Sequence, residues 1–328
     1  MTRTVITELK DRLVAAFGDT RIHAQVPLAP LTTFKVGGPA DLLFEPRSSA
    51  EIVRALECAR GTGVPVTVLG GGSNVLVGDG GIRGLVLRPR AGAIASEAPD
   101  RVRADAAVTI NELVRWTIAR GLAGLEAWAG TPGTVGGGVY GNAHWAGRLL
   151  SDLIESVRLV QLDGTVADVP AEAMEFGYDR SRLQRTREVL LSARFVVQHG
   201  EPAALRATAR ASLAYRKGTQ PLHAPSAGCI FQNPDPADAL PDGVPRSAGA
   251  LVDRAGLKGA RVGGAIVSPT HANFIVNDGT ATAADIRSLV ERCRAAVRAR
   301  YGLALRDEIV CLGEFEGQPE ESRVHPAD

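Results

Sequence analysis

Apolar residues along the chain change their spacing several times, and each change marks an element. In MTRTVITELKDRLVAAFG, Val5, Ile6, Leu9, Leu13 and Phe17 recur at helical intervals, so an amphipathic helix opens the chain. Ser48 and Glu51 stand at capping-box spacing before the stripe Ile52, Val53 and Leu56, which predicts a second helix. The continuous apolar run VPVTVLG then reads as a buried strand. RVRADAAVT alternates as a strand, and Thr109 with Glu112 caps the helix INELVRWTIARG, which stops at Gly121. ESVRLVQLDGTVADVP folds back on Asp163-Gly164 as a hairpin, and EVLLSARFVVQH is a further strand. Beyond residue 200, EPAALRATARASLAYRKG and AADIRSLVERCRAAVRARYG have helical periods, and the apolar, glycine-rich stretch between them reads as mixed helix and strand. The pattern is α+β: a lead-in over residues 1–30, one domain over 31–200, a smaller one over 201–315, and a polar tail over 316–328 that is expected to be disordered.

Composition narrows the class. The 328 residues are 45% hydrophobic and 22% charged with a net charge of +1, a balance that leaves no electrostatic footprint for nucleic acid or an anionic membrane. No apolar run reaches the roughly 20 residues that span a bilayer, and the N-terminus lacks the layout of a signal peptide, so a cytoplasmic, monomeric protein is expected. Four cysteines and six histidines show no CxxC, HxH or HxxxH spacing, and no metal site is expected. Cys58, Cys293 and Cys311 fall in helical or strand-like apolar runs and read as small core residues. Cys229, in QPLHAPSAGCIFQNP, is the thiol that sits in a loop.

Glycine changes the picture more. Of its 37 residues, 13 cluster in VLGGGSNVLVGDGGIRGLVL and AGTPGTVGGGVYGN, both flanked by clear elements. A strand followed by LGGGSN lets backbone N–H groups converge, because glycine has no Cβ to block approach. Gly70, Gly71, Gly72, Ser73 and Asn74 are therefore candidate ligands of a phosphate or pyrophosphate, although the spacing is neither GxxxxGK[ST] nor GxGxxG. In the second cluster Pro132 fixes the entry, Gly133, Thr134, Gly136 and Gly137 offer further backbone, and Tyr140 and Asn142 have the chemistry to hold a planar ring. Two such loops suit an extended dinucleotide; a close-packed array of turns is the other reading. Arg216, Lys217, Gln232, Asn233, His271 and Asn273 gather polar chemistry in the second half. Glu308 opens an apolar strand, where a carboxylate must be paired, exposed or functional.

Seven segments taken together resemble the UDP-N-acetylenolpyruvoylglucosamine reductases: LTTFKVGGPADLLFEP, VLGGGSNVLVGDGGIRGLVL, GTPGTVGGGVYGNA, FGYDRS, QPLHAPSAGCIFQNP, AGLKGARVGGAIVSPTHANFIVN and GLALRDEIVCLGEF, in family order from about residue 31 to 315. The resemblance implies an FAD-binding domain of the vanillyl-alcohol-oxidase type followed by a smaller substrate-binding domain. NADPH would reduce the FAD, and the enolpyruvyl group of a UDP-sugar would then take the hydride. The resemblance also implies Cys229 in the place of the family's proton-donating serine, Glu308 as the stabilising glutamate, and Lys217, Asn233 and His271 on the UDP-sugar. The family's Tyr-Arg-any-Ser is Tyr178-Asp179-Arg180-Ser181 here, so Asp179 stands where an arginine is expected. Arg180 serves in its stead only where the backbone leaves an extended path, with Arg182 and Arg216 as substitutes. The runner-up readings are an FAD-dependent oxidase or dehydrogenase of a small hydroxy acid or alcohol, and an inactive nucleotide-binding homologue. An ordinary thiol titrates at about 8.5, so a proton-donating Cys229 predicts that substrate reduction falls in mild alkali.

Overall fold

The computed structural model describes residues 3–161 and 163–315, so the expected tail over 316–328 lies outside the described residues. Helix α1 (Arg3–Phe17) buries Leu9 and Leu13 beside α2 (Ser49–Ala59), where Ser48 Oγ accepts the Glu51 amide at 3.2 Å. Both lie on a four-stranded sheet ordered Ile22–Pro27, Pro39–Phe44, Ile82–Leu87, Val66–Val68, the first pair antiparallel and the others parallel. VPVTVLG forms a strand only over Val66–Val68. It is an edge strand with one neighbour, so Val68 is 42% exposed where a buried strand was expected.

A second unit is built on an antiparallel sheet ordered Val166–Pro170, Ile154–Val160, Val189–Val196, Arg101–Asp105, Ile94–Ala98, and its first two strands are the expected hairpin. Helix α3 (Ile110–Ala119) carries the Thr109–Glu112 capping box and packs Leu113 and Val114 into this core. Helix α4 (Val135–Tyr140) forms where a glycine-rich loop was expected. Thr134 Oγ1 accepts the Gly137 amide at 3.2 Å, and a side chain on Gly138 would meet Leu150 at 3.0 Å, so tight packing outweighs the low helix propensity of glycine. Helix α5 (Pro202–Thr219) begins beyond residue 200 yet buries Leu205 and Ala209 in the core of this second unit.

The third unit sets α6 (Ala248–Arg254) and α7 (Ala283–Tyr301) around a small antiparallel sheet of Arg261–Val262, Ala265–Val267 and Ile275–Asn277. Its core holds Val252, Ile286, Leu289, Val290 and Cys293. Cys58 is also buried, but Cys311 is exposed: its strand, Val310–Leu312, has a single partner strand, and Arg287 donates to its sulfur at 3.4 Å. That partner is Val75–Val77 of the first unit, paired in parallel.

A second tie crosses the same boundary. The Asp79 carboxylate, within the first glycine cluster, accepts the amides of Ala283 and Ala284 at 2.9 Å each and so caps α7 from outside its own unit. Removing a capping carboxylate costs about 1–2 kcal/mol. Asp79→Ala is expected to lower the unfolding free energy measured by urea titration by that amount, and a loss below about 0.5 kcal/mol would mean that the contact does not hold the units together.

Candidate active site

The two glycine clusters meet. A side-chain carbon on Gly71 would stand 2.9 Å from Gly133 Cα, so backbone leaves no room for one there, and a carbon on Gly133 would stand 2.7 Å from Ser73 Oγ. Gly133 also has φ 99°, in the region that favours glycine. The first loop is pinned from behind, where Thr33 donates to Gly72 O at 2.9 Å. Among the described residues the amides of Gly71, Gly72, Ser73, Gly133 and Thr134 donate to no backbone carbonyl, whereas those of Val135 and Gly136 bond Val108 O and Ala106 O. Amides without a backbone acceptor on two touching loops, with no Cβ in the way, suit the pyrophosphate of FAD.

Two of the expected cofactor residues take other parts. Asn142 is fully buried: its Nδ2 donates to Gly177 O at 2.8 Å and its Oδ1 accepts the Ser151 amide at 2.9 Å. Its side chain therefore braces the backbone at Gly177 and Ser151. Asn74 reaches away from its loop, donating from Nδ2 to Glu308 O at 3.0 Å while its own carbonyl accepts the Val310 amide at 3.0 Å. Tyr140 is partly buried, and burial pushes its hydroxyl up to about 12.

From Glu308 the chain of contacts reaches the thiol. The Glu308 amide donates to Ile230 O at 2.8 Å, and Asn273 holds the next residue on both sides, accepting from Phe231 N at 3.0 Å and donating to Phe231 O at 2.8 Å. Cys229 and Glu308 are thereby fixed side by side. Burial raises the Cys229 thiol well above its ordinary value, with Glu308 and Asp179 adding to the effect and Asn273 and Arg216 opposing it. Glu308 is likewise pushed well up, by burial first and then by Asp179.

The Tyr178-Asp179-Arg180 segment is a tight turn. The Gly177 amide donates to Arg180 O at 3.0 Å, the Arg180 amide donates to Gly177 O at 3.2 Å, and Asp179 has φ 52°. This departure from an extended path does not bring in Arg180, which is exposed and lies over Gly177. The turn instead aims Asp179 inward, where its carboxylate accepts from His144 Nδ1 at 2.9 Å. The cation that acts on Cys229 is Arg216, on the last turn of α5. It is 6% exposed, donates to Thr131 Oγ1 at 2.7 Å and lies 3.5 Å from the centre of the Trp145 ring. Burial lowers it to about 10, which still leaves it charged at neutral pH.

Of the expected substrate residues, Asn233 and His271 both meet the start of α6: Asn233 Oδ1 accepts the Ala248 amide at 3.0 Å, and the His271 ring stands against Gly249. Lys217 is exposed on α5. Sequence reading missed His144 and Trp145, which sit on a short hairpin, His144–Trp145 with Arg148–Leu149. Its signal was Ala146-Gly147, both at positive φ (52° and 77°), a turn that more often carries asparagine or aspartate first.

Two touching glycine loops with a thiol and a carboxylate tied to them suit a flavin-dependent oxidoreductase, and that is the class the similar proteins show. Residues 40–170 match the model of an FAD binding domain, and residues 220–312 match that of the UDP-N-acetylenolpyruvoylglucosamine reductase C-terminal domain. The reductase of Parasynechococcus marenigrum is 42% identical over 90% of this chain and 97% of its own, and that of Bacillus subtilis is 37% identical over 94% and 98%. The crystal structure of the Thermus caldophilus enzyme superposes with a TM-score of 0.74 at 33% identity, covering 89% of this chain and 98% of that one. This chain belongs to the UDP-N-acetylenolpyruvoylglucosamine reductase family, whose members use FAD and NADPH.

The cradle makes a direct prediction. Gly71→Ala forces a carbon against Gly133 backbone, which has no room to give. FAD affinity is expected to fall about tenfold or more, roughly 1.4 kcal/mol, measured as flavin retained per chain on dialysis. Full retention in a folded variant would show that the dinucleotide lies elsewhere.

Proposed function

We propose that the cleft joining the glycine cradle to Cys229 and Glu308 is where the chain reduces the enolpyruvyl ether of UDP-N-acetylglucosamine to UDP-N-acetylmuramate, a step in making peptidoglycan precursors. One observation supports the reading most: the Asn74 side chain bonds Glu308 O and the Glu308 amide bonds Ile230 O, which ties the segments of Cys229 and Glu308 to the first glycine loop. FAD, when bound and reduced by NADPH, supplies the hydride. Its arrival at the methylene carbon leaves negative charge on the adjacent carbon and carboxylate, which the chain must stabilise and then protonate. Cys229 carries the proton, and burial keeps it on the sulfur until the charge develops. Arg216 supplies fixed positive charge, with its orientation set by Trp145 and Thr131. Glu308 opposes the reaction while ionised, so it must be neutralised, by a proton or by a cation, before the enolate forms. Lys217, Asn233 and His271 are left for the diphosphate and sugar. Arg216 replaces Arg180 in the catalytic set. Four free thiols fit a reducing compartment, in keeping with the cytoplasm.

Anaerobic mixing separates the two half-reactions. Cys229→Ala is expected to bleach with NADPH at the wild-type rate and to reoxidise with the enolpyruvyl sugar at least about tenfold more slowly, roughly 1.4 kcal/mol, with Cys229→Ser recovering much of the loss. A smaller loss would make Cys229 a packing residue, and wild-type enzyme that fails to reoxidise would remove the proposed substrate. The pH profile carries a sign. The donor is the neutral thiol, present below its pKa and lost as pH rises through it, and burial moves that pKa upward. Reoxidation should therefore stay level through about pH 9, and an alkaline fall near the ordinary thiol value of about 8.5 would contradict the burial.

A further inference from the structure

His144, Asp179 and Glu308 come from a hairpin, a turn and a strand entry far apart in the chain, yet each offers a ligand atom within 4.8 Å of the others. Ionised together, the two carboxyl groups would repel each other and the carboxylate that the substrate brings, so the cluster is not an ordinary acidic patch. The Asp179 side chain is 10% exposed; Oδ1 accepts from His144, while Oδ2 is buried with no partner. Such an oxygen is costly unless something electropositive reaches it. No arginine or lysine among the described residues pairs with Asp179 or Glu308: Arg216 is engaged by Thr131 and Trp145, and Arg180 faces outward.

We propose that these three side chains bind a divalent transition-metal cation of the Mn2+ or Zn2+ class, and that the cation receives the carboxylate of the enolpyruvyl group. Bonds of about 2.1 Å place ligand atoms up to ~4.2 Å apart, so small side-chain rotations close the set. One imidazole with two carboxylates suits this class better than Mg2+ or Ca2+, which prefer oxygen alone. The His144 ring is held in place by Tyr178, with ring centres 4.6 Å apart. Three protein ligands leave coordination positions open, as in catalytic rather than structural sites. The ion cancels the two carboxylate charges and turns a repulsive wall into a Lewis acid facing the enolate. It supplies the neutralisation that Glu308 requires and the positive charge that the arginine in Tyr-Arg-any-Ser would bring. The role given to the ion rests on the substrate reading above; its binding does not.

The test is Mn2+ titration of chelator-treated, FAD-loaded enzyme, followed by electron paramagnetic resonance of the free ion. One equivalent is expected to bind, with affinity reduced at least about tenfold in Asp179→Asn and in His144→Gln. Flavin content provides the check that both variants fold. Adding the enolpyruvyl sugar should change the spectrum of bound Mn2+, and chelation should raise KM for the sugar while flavin bleaching by NADPH is unaffected. Wild-type enzyme that binds no equivalent, or binds no more tightly than a folded Asp179→Asn, overturns the site and leaves the two carboxylates sharing a proton. Bound Mn2+ whose spectrum ignores the sugar overturns the ion's role. A sugar that never reoxidises the flavin counts against the substrate reading alone.

Discussion

The parallel pairing of Val310–Leu312 with Val75–Val77 is the constraint on which the site depends. Without it Glu308 has no fixed position relative to the glycine cradle, and Cys229, which is located through Glu308 and Asn273, has none either. Short strands give few ladder bonds, so the junction is reinforced by side chains at the two ends of Val75–Val77: Asn74, which reaches Glu308, before it and Asp79, which caps α7, after it. Both reinforcing residues lie within the first glycine cluster. That cluster therefore both leaves amides without a backbone acceptor and holds the strand Val310–Leu312.

The second organising principle is the placing of charge in a poorly solvated cleft. A buried guanidinium is tolerated at Arg216 because the Trp145 face and the Thr131 hydroxyl replace part of its hydration, though Nε is left without a partner. The same low polarity keeps the proton on Cys229 and drives Glu308 toward neutrality. Asp179 is held in this environment by its turn, which is braced by Asn142 at Gly177 and by Ser181 Oγ donating to Tyr140 O at 2.7 Å. Those braces link the acid turn to the end of α4, so the second glycine cluster also reaches from cofactor to acid–base chemistry.

What the sequence disclosed was what depends on near neighbours. Ser48 with Glu51 and Thr109 with Glu112 form caps because both partners lie within one helical turn, and the Asp163-Gly164 hairpin closes on itself. The glycine clusters also spoke plainly, since the absence of side chains is a local property. Helix α4 was hidden because its stability comes from packing against Leu150 and Ile110 and not from the propensity of three glycines. Asn142 read as a ring ligand because nothing local says that Gly177 and Ser151 will claim its amide. Arg180 and Asp179 could not be assigned without the turn that separates their directions. The association of residues 144, 179 and 308 exists only in the folded chain.

The bond from Asn74 to Glu308 spans 234 positions. During synthesis the first glycine cluster leaves the ribosome long before the strand that completes it, and the first two units can collapse around their own cores in the interval. The nascent chain thus presents an open edge at Val75–Val77 until Val310–Leu312 arrives. Assembly of the reaction centre is then the closing event of folding, and a chain interrupted before residue 308 has most of its mass but neither the carboxylate nor the fixed thiol.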